Sequence, residues 1–185
     1  MLYRIYRLSS SNPLPPAGGS LYMFHYGLHP SGCGSFNYSF MLRVKIKNLS
    51  KNQLPAYETD LSAGMDLRAN LASSIVLFPK QRLLIPTGIS IELPAGYEAQ
   101  VRSRSGLASK HGIVVLNSPG TVDADYRGEI RVLLCNLGHN PVNIVNTMRI
   151  AQLVVSPCEH VEWEEVDELS DTSRGDGSFG STGII

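Results

Sequence analysis

The sequence predicts an all-β fold, a sandwich or barrel of short strands with one brief helix. Composition is the first support, because 17 glycines and 11 prolines among 185 residues indicate many turns. Spacing is the second, because short apolar runs recur at intervals of about ten residues from residue 41 onward. With 43% apolar and 17% charged residues, the chain has enough apolar surface for a packed core.

The predicted elements follow one another over residues 41–168. The first strand, residues 41–47, alternates apolar with basic side chains, as a half-buried strand does. The later strands are apolar or alternating runs: 75–78, 83–85, 89–93, 97–102, 113–116, 130–134, 142–145 and 150–155. One helix is predicted from Ser105 to Lys110, since Gly112 ends it.

Residues 1–40 differ in composition from the rest of the chain. They contain no Asp or Glu and many turn-forming residues. A targeting peptide is usually richer in arginine and amphipathic, so that interpretation fits poorly. The sequence favours an inert, poorly ordered extension or a start assigned too far upstream, with Met41 as the working start. His25, His29 and Cys33 recur at intervals of four, but the Gly- and Ser-rich context and the lack of a fourth ligand disfavour a zinc site.

Charge and cysteine usage exclude several classes of partner. Acidic and basic residues both number 16, and this balance argues against binding to duplex nucleic acid. No apolar run approaches the roughly 18 residues that span a bilayer, so no membrane partner is expected. The three cysteines form no CxxC pair, which favours a reduced, intracellular and therefore cytoplasmic location.

Residues 102–107 combine two arginines and two serines just before the predicted helix. A helix start offers free N–H groups, and arginine offers a planar fork of donors, so the segment suits phosphate oxygens. The plainer alternative is a helix capped by serine, with its arginines in solvent.

Residues 120–129 carry a cluster of acids around Tyr126. We expect Asp123 and Asp125, two positions apart, to point to one side of an extended segment. One of them would then be placed to polarise a water molecule as a general base. The alternative is a charged hairpin tip.

Residues 171–183 form a polar, glycine-rich stretch that cannot bury a core of its own. Gly175 to Thr182 approaches the phosphate-binding loop of ATPases, but Ser181 replaces its lysine and no helix follows, which argues against that class. The stretch can still present N–H groups and hydroxyls to an anion, and the alternative is a floppy tail.

Single polar residues also interrupt two otherwise apolar strands. Asp66 lies at the start of one, and Arg149 and Gln152 lie in the last predicted strand. Each either occupies a solvent-facing position or belongs to a charged site.

Taken together and in this order, these five segments resemble the five motifs of the trimeric deoxyuridine triphosphatase (dUTPase) family, from Met41 to Gly183. The resemblance implies an antiparallel jelly roll, or distorted barrel, that assembles as a homotrimer with its active sites between subunits. Residues 41–170 would form the core, and residues 171–185 would close over a neighbouring subunit's site. The implied reaction converts dUTP and water to dUMP and pyrophosphate, which keeps uracil out of DNA and supplies dUMP for thymidylate synthesis.

The resemblance also implies a role for individual residues. Asp123 would activate the attacking water, and Asp66 would reach a triphosphate-bound Mg²⁺ through water. Phosphate contacts are implied for Arg104, Ser105, Gly106, Arg149, Gln152, Arg174, Gly180, Ser181 and Thr182. Contacts with uracil or deoxyribose are implied for Asn117, Gly120, Thr121, Val122, Tyr126 and the stacking ring of Phe179, and a contact with the substrate is implied for Arg131.

Specificity would come from a hairpin over residues 116–122 that pairs with the uracil edge and leaves no room for a thymine methyl group. Cytosine would leave buried polar groups unpaired there. Tyr126 would pack under the deoxyribose and exclude a ribose hydroxyl.

Ser178 departs from the family pattern, because it replaces the second of two glycines and tolerates a positive φ less well. Two other functions compete: a dCTP deaminase or bifunctional deaminase–dUTPase of the same fold, and a non-catalytic dUTP-binding regulatory trimer. The Asp-Ala-Asp-Tyr segment and the glycine-rich tail favour the phosphatase over the deaminase. The presence of Asp123 argues against a retired enzyme.

Overall fold

The structure, a computed structural model, describes residues 41–178, and in that range the chain forms eleven strands and one helix. The extension of residues 1–40, with His25, His29 and Cys33, lies outside the described residues. The strands are β1 Lys45–Asn48, β2 Met65–Arg68, β3 Ile75–Leu77, β4 Arg82–Pro86, β5 Ile89–Glu92, β6 Tyr97–Arg102, β7 Ile113–Val115, β8 Gly120–Val122, β9 Arg131–Asn136, β10 Val142–Ile144 and β11 Arg149–Pro157. The helix is α1 Ser105–His111. The predicted all-β class with one short helix is therefore confirmed.

All strand pairs are antiparallel, and two sheets dominate the architecture. One contains four strands in the order β2-β11-β6-β8, and the other contains three in the order β4-β9-β7. The remaining pairs are β1 with β5 and β3 with β10. In the four-stranded sheet, Asp66 lies opposite Gln152, which lies opposite Arg102. This register brings polar residues from three distant parts of the sequence into one row.

The core consists of aliphatic side chains from the inward faces of the strands. Leu67, Ile85 and Leu134 are each fully buried, and burial of such a side chain contributes about 1.5–3 kcal/mol. The buried polar side chains are also satisfied. Asn136 donates to the carbonyls of Leu77 and Asn140, both at 2.9 Å, and Thr87 donates to the carbonyl of Ile130 at 2.6 Å. The sheets therefore form a fixed platform for the loops at their edges.

The helix agrees with its sequence signals. It ends at Gly112, whose φ of 67° is left-handed and whose N–H bonds back to the carbonyl of Ala108. A side chain at position 112 would collide with the backbone of Gly138, so glycine is required for space as well as for conformation.

The expected hairpin over residues 116–122 is wrong. β7 pairs with β9 in the three-stranded sheet, whereas β8 pairs with β6 in the four-stranded sheet. The intervening residues therefore carry the chain from one sheet to the other. Strand periodicity identifies a strand but not its partner, so the sequence pattern could not distinguish a crossover from a hairpin.

Candidate active site

Two pockets hold most of the described candidate residues. The larger pocket has a volume of about 610 Å³ and lies where the chain crosses between the two main sheets. It is lined by Leu84, Val101, Val115, Asn117, Gly120, Thr121, Val122, Asp123, Tyr126, Gly128, Glu129, Ile130, Arg131 and Leu133. The smaller pocket has a volume of about 320 Å³ and is lined by Glu58, Ser62, Ala63, Gly64, Asp66, Arg104, Ser105, Gly106 and Gln152.

The loop after β8 supplies the acidic side of the larger pocket. It is a turn, because the Tyr126 N–H donates to the Asp123 carbonyl at 3.1 Å. Arg127 braces it by donating to the carbonyl of Ala124 at 2.6 Å. The expectation of an extended segment with Asp123 and Asp125 side by side is therefore wrong, since backbone hydrogen bonding within the loop outweighs the alternation. Asp123 is exposed and lines the larger pocket, whereas Asp125 does not line it.

Asn117 reaches the larger pocket from the other side of the crossover. A Cβ at Gly120 would lie 3.1 Å from its Nδ2 atom, so the bare glycine lets the amide approach the β8 backbone. Gly120 itself is buried and pairs with Val101 of β6. The pocket thus combines an amide, strand backbone and a carboxylate.

The smaller pocket is organised by an ion-pair cluster. Arg104 Nε lies 2.7 Å from Asp66 Oδ1, and Arg149 Nη1 lies 3.1 Å from Asp66 Oδ2. Arg149 Nη1 also lies 3.2 Å from Glu58 Oε1. Two carboxylates therefore balance two guanidinium groups. Because the Asp66 side chain is only 12% exposed, this pairing offsets the cost of removing its charge from water.

Gln152 is held over the smaller pocket by two neighbours. Its Nε2 donates to the Ser103 carbonyl at 3.0 Å. A Cβ at Gly64 would lie 2.6 Å from its Oε1 atom, so only glycine leaves room for this rotamer. Gln152 thus lines the smaller pocket, whereas Arg149 lines neither pocket and joins the cluster through its ion pairs with Asp66 and Glu58.

The start of α1 completes this pocket. Arg104 occupies the N-cap position and makes no side-chain cap hydrogen bond, so the serine-cap alternative is wrong. Ser105 and Gly106 are exposed in the first turn, where backbone N–H groups have no intrahelical acceptor. Both the N–H groups and the Ser105 hydroxyl are available to an anion.

The C-terminal segment is described only as far as residue 178. Arg174 is exposed, donates from Nε to the Gly177 carbonyl at 2.9 Å and lines neither pocket. The other candidates of this segment, Phe179, Gly180, Ser181 and Thr182, lie outside the described residues.

A divalent cation held by protein needs several side-chain ligands that converge on one point. Within residues 41–178, no group of three or more His, Cys, Asp or Glu side chains is placed to hold a metal ion. Both oxygens of Asp66 already accept from arginines. The described residues therefore form no protein cage for a divalent cation, and such an ion would need ligands from outside the protein, such as water and phosphate oxygens.

Sequence reasoning missed Glu58, Ser103 and Glu129. Glu58 pairs with Arg149, and the Ser103 hydroxyl accepts from the Val115 N–H at 2.8 Å. Glu129 pairs with Arg131, its Oε2 lying 3.0 Å from Nε. Only this last pair had a usable signal, because opposite charges two positions apart lie on one face of a strand.

Comparison with known proteins identifies the family. The dUTPase family model matches residues 50–183. A deoxyuridine 5'-triphosphate nucleotidohydrolase of Cytophaga hutchinsonii is 60% identical over 140 residues, covering 76% of this chain and 91% of its own. The same enzyme from Orientia tsutsugamushi strain Boryong is 52% identical over 147 residues, covering 77% and 99%.

Solved structures agree with this result. A mutant dUTPase of Staphylococcus bacteriophage 80alpha, determined with dUpNHpp, superposes with a TM-score of 0.70 at 29% identity, covering 77% of this chain and 99% of its own. A mutant dUTPase of phage phi11, described with a structural Mg(II) ion, has a TM-score of 0.63 at 24% identity, covering 70% and 99%, which indicates a shared fold alone.

A jelly-roll fold in which one pocket bears Asp123 and the other bears Arg104 beside its ion pair with Asp66 is typical of an enzyme that hydrolyses a phosphorylated substrate. Within that class, the chain belongs to the dUTPase family, and its reaction is the hydrolysis of dUTP to dUMP and pyrophosphate. In the part of the chain that the structure describes, no helix has the length and apolar character needed to cross a membrane.

Proposed function

We propose that Asp123 is the base that activates the attacking water in this reaction. The observation that carries the assignment is a contrast between two aspartates. Asp66 is held by two arginines, whereas no hydrogen bond or ion pair engages the Asp123 side chain among residues 41–178, and Asp123 lines the larger pocket. A carboxylate with no other partner can hold a water molecule and accept its proton, whereas both oxygens of Asp66 already accept from arginines.

The smaller pocket is proposed to bind the triphosphate. Arg104 and Arg149 supply guanidinium donors, and the first turn of α1 supplies N–H groups with the Ser105 hydroxyl. Gln152 adds an amide at the pocket edge. Preorganised donors of this kind stabilise the charge that develops on phosphate oxygens as pyrophosphate leaves.

Mg²⁺ is proposed to be held by the triphosphate and to meet Asp66 through water. When bound, the ion would neutralise phosphate charge and fix the conformation of the phosphate chain. The Asp66 carboxylate would also position Arg104 and Arg149 before substrate binds, because it accepts a hydrogen bond from each.

The larger pocket is proposed to bind deoxyuridine. Asn117 and the backbone from Gly120 to Val122 would form hydrogen bonds with the uracil edge, and cytosine would leave such groups unpaired. Tyr126 would lie under the deoxyribose and exclude a ribose hydroxyl. Arg131 lines the same pocket and would contact the substrate from the far side.

A homotrimer with shared sites is supported by the separation of the two pockets. They have no lining residue in common: in the four-stranded sheet, the smaller pocket is lined from β2 and β11 and the larger pocket from β6 and β8. If the larger pocket of one subunit faces the smaller pocket of the next, one substrate can bind with its deoxyuridine in the first and its triphosphate in the second. The tail, with Arg174, Phe179, Gly180, Ser181 and Thr182, would then close over the assembled site.

A cytoplasmic location is also part of the proposal. It is supported by Cys135 and Cys158, which are both free thiols, as expected of a reducing compartment.

Pyrophosphate release from dUTP, dCTP, dTTP and UTP in the presence of Mg²⁺ tests the assignment of the base. We expect release from dUTP alone, and an Asp123→Asn variant should be slower by about 100-fold or more while it still binds dUTP. Unchanged turnover in this variant would remove Asp123 from the role of base. Deamination of dCTP would instead place the chain with the bifunctional enzymes.

A further inference from the structure

We propose that Glu129 is a positioning residue that sets discrimination against ribonucleotides by fixing Tyr126. The inference rests on the proposed role of Tyr126 under the deoxyribose. It adds a residue whose task is to hold Tyr126 in place beneath the sugar.

Glu129 links two residues of the larger pocket, Tyr126 and Arg131, to Gly88, which lies outside that pocket. Its Oε1 accepts from the Gly88 N–H at 2.7 Å, and its Oε2 accepts from Arg131 Nε at 3.0 Å. Its backbone carbonyl accepts the hydroxyl proton of Tyr126 at 3.0 Å. The position of the Tyr126 hydroxyl therefore depends on where the Glu129 backbone lies.

The anchor for Glu129 is a rigid turn between β4 and β5. Gly88 has a φ of 71°, and a Cβ there would lie 2.9 Å from the backbone nitrogen of Ser50, so the turn cannot shift freely. The Thr87 hydroxyl donates to the Ile130 carbonyl at 2.6 Å, and the Ile130 N–H donates to the Ile89 carbonyl at 2.7 Å. The bond from the Gly88 N–H to the Glu129 carboxylate adds a third link between this turn and residues 129–130, next to the loop that carries Tyr126.

Tyr126 has little else to hold it. Its side chain is 45% exposed, so packing does not fix its ring. The ring curls over Gly128, where a Cβ would collide with the phenol group. With few packing contacts, loss of the Glu129 anchor should widen the range of ring positions and admit a 2′-hydroxyl.

The test compares kcat/KM for dUTP with kcat/KM for UTP. We expect Glu129→Ala to lower this ratio by about tenfold, the order of discrimination that one group's fit provides. Tyr126→Phe should lower it similarly, because it removes the hydroxyl that Glu129 holds. The double variant should fall no further than the larger single effect, since both changes break one linkage.

Two further variants separate a positioning role from general weakening. Glu92→Gln breaks an exposed ion pair on β5, outside both pockets, and should leave the ratio unchanged. Glu129→Gln keeps an oxygen that can accept from the Gly88 N–H and should lower the ratio less than Glu129→Ala does. If Glu129→Ala fails to fold, Tyr126→Phe still tests the linkage.

The outcomes also separate this inference from the function it rests on. If Tyr126→Ala leaves the ratio unchanged, the proposed role of Tyr126 fails. If Tyr126→Ala abolishes discrimination while Glu129→Ala and Tyr126→Phe preserve it, the role of Tyr126 stands and the positioning role of Glu129 is overturned.

Discussion

Arg104 and Asp66 form a two-point ion pair, with Nε 2.7 Å from Oδ1 and Nη2 3.4 Å from Oδ2. The pair joins the N-cap of α1 to β2, across 38 positions of sequence. It fixes the guanidinium that faces the smaller pocket before any anion is present. The same carboxylate also restrains Arg149, so one acid sets two of the cations proposed to bind phosphate.

Replacement of this acid should destabilise the fold. We expect Asp66→Asn to lower the free energy of unfolding by about 1.5–3 kcal/mol, because two charge-assisted hydrogen bonds weaken in a largely buried position. Urea denaturation gives the value. Glu92→Gln is the matched control, since its ion pair with Lys45 is exposed and should contribute little. Equal shifts in the two midpoints would show that the Asp66 cluster adds no special stability.

Two glycines with positive φ differ in the space around them, so substitutions there measure the cost of backbone strain with and without a steric clash. Gly112 and Gly96 have φ of 67° and 81°, but a Cβ at Gly112 would lie 2.7 Å from the Cα of Gly138, whereas a Cβ at Gly96 meets nothing within 4 Å. Gly96→Ala should therefore cost about 1–2 kcal/mol, the strain of a left-handed residue. Gly112→Ala should cost about 1–3 kcal/mol more through overpacking. Chemical denaturation of both variants checks this, and equal losses would contradict the steric argument.

The exposed pair between β1 and β5 predicts a pH effect. A hydrogen bond from Lys45 and its positive charge lower the pKa of Glu92 below its ordinary 4.5. Because the folded-state pKa is depressed, the stability from this pair is present above pH 4.5 and is lost as the pH falls through the lowered value. Lys45→Met should return the pKa of Glu92 toward 4.5, which NMR titration of its carboxyl carbon measures. An unchanged pKa in this variant would show that Lys45 is not the cause.

Much of the architecture could be predicted because it depends on local signals. Alternation and turn residues located β6 at residues 97–102 and ended α1 at Gly112. The short β8 was not predicted, because it begins with Gly120 and forms no apolar run of the kind that marks the other three-residue strands. Its pairing with β6 rather than β7 depends on contacts distant in sequence, which no local pattern encodes.

The site residues also fall into those that local sequence signals could identify and those that depend on distant contacts. Asp66, Arg104 and Gln152 were identified by residue type and order, and the structure brings all three to one pocket. Glu58 was missed because its role depends on Arg149, 91 positions away and on a different element. Glu129 was missed because two of its partners, Gly88 and Tyr126, act through backbone or hydroxyl groups that sequence patterns do not reveal.

The separation of the two pockets predicts that inactive subunits can rescue one another. Asp123→Asn damages only the larger pocket, and Arg104→Gln damages only the smaller one. If each active site takes its two halves from different subunits, a mixed trimer contains sites in which both halves are intact. We therefore expect part of the dUTP hydrolysis to return when the two variants are denatured together and refolded as a mixture.

The control refolds each variant alone and mixes the two only afterwards, so that subunits do not exchange. This sample should stay inactive, because every trimer then carries the same lesion in all of its sites. Light scattering of the refolded mixture must match the mass of the wild-type assembly, which excludes loss of activity through misassembly. A site formed within one chain predicts no rescue in either sample, because a chain with one damaged half cannot borrow the other. Rescue confined to the co-refolded sample would thus assign the two pockets to neighbouring subunits without any ligand-bound structure.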